Sequence, residues 1–70
     1  MKAVFAGGSH HNMTKEITMA NPSMSLSNDQ EQSETYHLFE AKNKNGEIFA
    51  LYKHPESTQK QINEILIKFS

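Results

Sequence analysis

The sequence predicts an α+β fold: a small antiparallel sheet of three to four strands, made of two hairpins, with one C-terminal amphipathic helix packed on one face. Three observations carry this. Glu34 to His54 reads as two strands about an Asn-Lys-Asn-Gly turn. Ile62, Ile65, Leu66 and Phe69 recur at i, i+3, i+4 and i+7, which is a single apolar stripe on a helix. Lys2-Ala3-Val4-Phe5-Ala6 is a short apolar run closed by Gly7-Gly8, as buried strands are.

The first strand, Lys2 to Ala6, runs into a turn at Gly7-Gly8-Ser9-His10-His11-Asn12. Glycine and asparagine accept the positive φ that tight turns require. Thr14 to Ala20, with Thr14, Ile17 and Thr18 favouring strand, completes an early hairpin. Asn21 to Ser33 has only Met24 and Leu26 as large apolar residues and reads as a long flexible surface loop. Long loops in small domains are often functional, so Met24 and Leu26 are candidate anchors for a partner that orders the loop.

Glu34 to Lys42 and Glu47 to His54 form the second hairpin. Its turn has two readings: a two-residue type I′ turn at Asn45-Gly46, or a type I turn opened by Asn43 with Gly46 as a G1 bulge. Alternation puts Tyr36 and Leu38 on one face and His37 and Phe39 on the other, then Phe49 and Leu51 opposite Ala50 and Tyr52. Both faces are therefore apolar. The helix covers one, and the other calls for a second cover, which argues for a homodimer or another protein partner. The helix spans Pro55 to Phe69, with Pro55 in its first turn. A later start, with Thr58 as N-cap and Gln61 closing a capping box, also fits. Ile67 points away from the stripe.

The chain has 70 residues, one small domain over 1–70, and no cysteine. A chain of this length buries only about 60% of its unfolded surface. Without disulfides it relies on its core or on a second chain. The absence of cysteine fits an intracellular setting. Net charge is −1 and there is no arginine, so nothing in the composition favours nucleic acid. No apolar run approaches the roughly 20 residues that span a membrane, and Met1 to Ala6 is too short for a signal-peptide core. The expectation is a cytoplasmic protein.

Each candidate site also has a plainer reading. His10-His11 resembles metal chemistry, but adjacent side chains in an extended segment point opposite ways and a site needs three or four ligands, so no metal is expected. If the hairpin has the two-residue turn, His37 and His54 could lie near each other across it and respond to pH, though two edge histidines without a role is the plainer reading. Gly7-Gly8 lacks the Gly-Lys-Ser/Thr and the helix of a phosphate loop. Serines are plentiful but have no nucleophile motif, and the chain has little volume for a ligand cleft of about 300 Å³. Neither catalytic residues nor a cofactor are expected. Tyr36, Phe39, Phe49 and Tyr52 could offer a stacking platform, yet such residues more often pack a core. The candidate binding residues are Gly7, Gly8, His10, His11, Asn12, Met24, Leu26, Tyr36 and Tyr52.

Met1, Lys2, Val4, Gly7 and Gly8, followed by a hairpin with Tyr36, Gly46 and Phe49 to Tyr52, resemble small uncharacterised proteins of phages and prophages. Those open with a Met-Lys-x-Val-x-x-Gly-Gly strand and turn. Here Ser9 stands where they have proline, His11 where they have aspartate, and Asn12 where they have glycine. The resemblance covers the two hairpins and leaves out the helix. It implies a setting rather than a mechanism. The expected function is a non-catalytic interaction protein, a phage accessory factor that binds a host protein. The alternative is a small-ligand or nucleotide sequestering protein with a site between subunits near Gly7 to Asn12.

Overall fold

A computed structural model describes residues 1–69 of the chain. Five strands and one helix follow in the order β1 (Lys2–Ala6), β2 (Thr14–Glu16), β3 (Ser23–Ser27), β4 (Ser33–Lys44), β5 (Glu47–Lys53) and α1 (Gln59–Ile67), with a 3-10 turn at Gly8–His10 after β1. The sheet order is β2-β1-β5-β4-β3. The α+β class holds, but the sheet has five strands and is mixed, because β1 lies parallel to β5 with Val4 opposite Leu51.

The expected pair of separate antiparallel hairpins is corrected by the burial of β1. Ala3, Val4, Phe5 and Ala6 are all buried, so both faces of β1 are core. A strand apolar on both sides belongs in the middle of a sheet. It takes its place between β2 and β5, and the two hairpins fuse into one sheet.

The early hairpin forms with Lys2 opposite Glu16, although its second strand stops at Glu16 rather than Ala20. The β4–β5 hairpin closes with Lys44 opposite Glu47. Asn45 and Gly46 both have positive φ, 55° and 85°, which identifies the two-residue type I′ turn. The Asn43 side chain accepts from the Gly46 N–H across it. A bulge between Leu38 and Glu40 lets Phe39 pack towards the helix.

Asn21 to Ser33 is not a loop throughout. Ser23–Ser27 pairs with β4 from Ser23 opposite His37 to Ser27 opposite Ser33. Met24 and Leu26 alternate with serines, and both turn inward onto the core. The turn that follows is fixed by Asn28, whose side-chain oxygen accepts from the Gln30 and Gln32 N–H groups.

The helix begins at Gln59, not at Pro55. Thr58 caps it and Gln61 returns the bond to the Thr58 N–H. Pro55 instead sits in a turn closed by Ser57 N–H on the His54 carbonyl. The helix lays Ile62, Ile65 and Leu66 over Val4, Ala6 and Leu51.

The other face holds Phe5, Tyr36, Ala50 and Tyr52, which are at most 1% exposed. The expectation that this face needs an outside cover is thereby corrected. Ile17, Ala20, Met24 and Leu26 of the same chain pack over it. The turn after β1 also reaches β3, two strands beyond its neighbour β5, so the sheet curls around this face. No helix among the described residues is long and apolar enough to cross a membrane.

Candidate functional site

The sheet curls around a polar clip at the end of β1. Tyr36 is a core residue with its ring edge-on to Phe5, and only its hydroxyl reaches the clip. That hydroxyl donates to the Gly7 carbonyl at 2.9 Å and accepts from the His10 N–H at 3.2 Å. Burial pushes its pKa up. Gly7 and Gly8 have φ of 81° and 66°, which glycine adopts freely. A Cβ on Gly8 would stand 2.5 Å from the Tyr36 hydroxyl and 2.6 Å from Glu34 Oε1, so only glycine fits there.

Glu34 anchors the outer half of the clip. Its Oε1 accepts from the Ser9 N–H at 3.0 Å, and its Oε2 accepts from the Asn28 side chain at 2.8 Å. His54 Nε2 lies 3.5 Å from Oε1, with its Nδ1 accepting from the Glu56 N–H. The Ser9 hydroxyl and N–H, then Asn28 and the His54 charge, hold the Glu34 carboxyl down at about 2.

Two histidines finish the clip. His11 Nδ1 accepts from the Gly7 N–H at 2.8 Å, and its Nε2 reaches Glu64 of the helix at 3.0 Å. His10 Nε2 lies 3.0 Å from the Ser27 carbonyl on β3, and an oxygen acceptor requires the proton on that nitrogen. His10 Nδ1 is buried without a hydrogen-bond partner among the described residues.

The expected site residues are thus divided. Gly7, Gly8, His10 and Tyr36 meet at the clip, but they bond to one another and to the sheet. Asn12 is a turn residue with φ 70°, its N–H on the Phe5 carbonyl at 2.7 Å. Tyr52 lies elsewhere, buried, donating to the Asn21 carbonyl at 2.7 Å. Tyr36 and Tyr52 therefore offer no open aromatic surface. His37 is exposed opposite Lys53, whereas His54 turns to Glu34 and packs edge-on to Tyr36. No sequence pattern groups Glu34, Asn28 and Ser9, because their spacing along the chain follows no local period. Among the described residues no cluster of three or more His, Asp or Glu is placed to hold a metal.

The open feature is the edge of β3. Leu38 N–H bonds to the Pro22 carbonyl and Asn28 N–H to the Gln32 carbonyl, both at 2.9 Å. With the register Ser25 opposite Thr35, Met24 and Leu26 exchange their bonds with β4. Ser23, Ser25 and Ser27 therefore turn their N–H and C=O groups away from the sheet. The His10 ring, bonded to the Ser27 carbonyl, confirms that direction. Beside this edge lies an open hollow of about 460 Å³, lined by Glu16, Ile17, Thr18, Met19, Asn21 and Met24. Met19 is 62% exposed within it. In comparisons with known proteins, no family model, no curated protein and no solved structure matches the chain.

Proposed function

We propose that this chain is a non-catalytic interaction protein whose contact surface is the open edge of β3. Self-association into a homodimer belongs to the same reading. The resemblance of the Met1–Gly8 opening adds the setting, a phage or prophage accessory factor that binds a host protein.

The observation that carries the proposal is the contrast between the two edges of the sheet. An edge strand is a template for pairing, and proteins blunt it with charge or shortness. Edge strand β2 has three residues and contains Lys15 and Glu16. Edge strand β3 has five residues, and no charged side chain occurs from Ile17 to Asn28. Strand addition draws affinity from backbone groups like those of Ser23 and Ser25, and specificity from alternate side chains. The Gly7–Asn12 turn favours the small-ligand alternative less, since Gly7, Ser9, His10 and His11 bond within the chain.

The test compares the wild-type chain with Ser25→Pro, both immobilised and exposed to a lysate. The Ser25 N–H faces away from β4, so proline there removes an edge donor and spares the ladder. Circular dichroism checks that the fold is retained. The expected result is a set of proteins held by the wild type and lost by the variant. Equal retention by both would overturn the β3 edge as the surface.

A further inference from the structure

We infer that the β3 edge takes a second copy of itself, in an antiparallel register centred on Met24, and that His10 excludes the competing registers. This rests on the β3 edge being the contact surface.

Two-fold antiparallel pairing sets residue i of one copy against j of the other and j against i, so a charge on the axis meets its own copy. On β2 this would bring Lys15 close to its own copy. On β3 there is no charge to oppose, and serines meet serines. The strand is self-complementary in both polarity and hydrogen bonding.

Three registers set at least two serines of each copy against serines of the other, centred on Met24, Ser25 or Leu26, and the Leu26 register, like the Ser25 one, needs the Ser27 carbonyl. In the first, Met24 faces Met24, and Ser23 of each copy exchanges N–H and C=O with Ser25 of the other. In the second, Ser25 faces Ser25, and Ser23 of one copy must donate to the Ser27 carbonyl of the other. That carbonyl already accepts from His10 Nε2 at 3.0 Å. The ring stands where the incoming Ser23 amide would lie. It is held in place by the bond of the His10 backbone N–H to the Tyr36 hydroxyl and by its edge-on packing against the Tyr36 ring. The second register requires this ring to leave; in the first, Ser27 lies opposite Asn21, outside strand β3, and no serine pair needs the Ser27 carbonyl.

The Met24 register also fills the hollow. Met24 points to the inner face with Ile17 and Ala20. Across a non-hydrogen-bonded antiparallel pair the facing Cα atoms are about 4.5 Å apart and both side chains lie on one face. Met24 of the second copy therefore enters the hollow lined by Ile17, Met19 and Met24, and the first copy's Met24 enters the equivalent hollow. Methionine suits such irregular space.

The chain has no cysteine, so single-cysteine variants report the register without background. Met24→Cys and Ser25→Cys are each oxidised at concentrations where light scattering gives the mass of the unmodified chain. In the Met24 register the two position-24 Cα atoms are within disulfide reach, and in the Ser25 register they are roughly 8 Å apart and outside it. The expected result is a covalent dimer from Met24→Cys and little from Ser25→Cys. Adding His10→Ala to each variant is expected to shift cross-linking towards Ser25→Cys. Cross-linking at Ser25→Cys alone would overturn the register while leaving the edge intact. A single-chain mass at every concentration, with Ser23 and Ser25 amides exchanging equally fast throughout, would overturn the second copy as occupant. The edge itself would then stand or fall with the Ser25→Pro comparison.

Discussion

The Tyr36 hydroxyl holds the Gly7 carbonyl at 2.9 Å, across 29 positions of sequence. This bond ties the turn after β1 to β4, a strand that is not its neighbour in the sheet. It is one of the contacts that keep the sheet curled around its own inner face.

Tyr36→Phe is expected to keep the ring packing against Phe5 and lose the clip. The Gly7 carbonyl and the His10 N–H both lose their partner. Leaving a buried polar group unpaired costs about 1–3 kcal/mol. A domain of 70 residues has a total stability of roughly 4–10 kcal/mol, so this is a large share of it. Urea unfolding checks the expectation: the midpoint should fall at an unchanged m-value. A midpoint equal to wild type would mean that the clip does not hold the fold.

Gly8→Ala and Gly46→Ala separate close packing from backbone conformation. Both glycines have positive φ, 66° and 85°. A side chain in that region costs about 1–2 kcal/mol. Nothing lies within 4 Å of a Cβ on Gly46, so Gly46→Ala should lose only that amount. A Cβ on Gly8 would also stand 2.7 Å from His54, besides Tyr36 and Glu34, so Gly8→Ala should lose clearly more. Thermal unfolding of the pair decides it, and equal losses would deny the tight packing at Gly8.

The residues themselves explain what the sequence disclosed. The β4–β5 hairpin and the Thr58 cap rest on local rules, an Asn-Gly turn and a Thr-x-x-Gln box, and both are legible over a few residues. The central place of β1 depends on which strands lie beside it, and no local pattern states that. The run Ala3 to Ala6 did carry a hint, since a strand without polar positions has no solvent face. Ser-Met-Ser-Leu-Ser is a period-two strand pattern followed by an Asn-Asp turn, but its two apolar residues looked too few to order a segment. They suffice because both land on the Phe5, Tyr36 and Tyr52 cluster. The clip was the least legible part. Ser9, Asn28, Glu34 and His54 come from four separate segments and meet only when the sheet curls.

Glu34 gives the clip a pH dependence whose sign follows from its lowered pKa. The carboxyl titrates at about 2 in the folded chain, against 4.5 in the unfolded one, mainly through its bonds to Ser9. The unfolded state therefore binds the extra proton first as the pH falls. The stabilisation is complete above pH 4.5 and is lost as the pH drops from there towards 2. Glu34→Gln keeps the shape of the side chain, can still accept from the Ser9 N–H, and removes both the charge and the titration. The variant should be less stable than wild type at pH 7, and the two curves of melting temperature against pH should converge between pH 4.5 and 2. Parallel curves for wild type and variant across that acid range would show that Glu34 is not held as the charged acceptor of the clip.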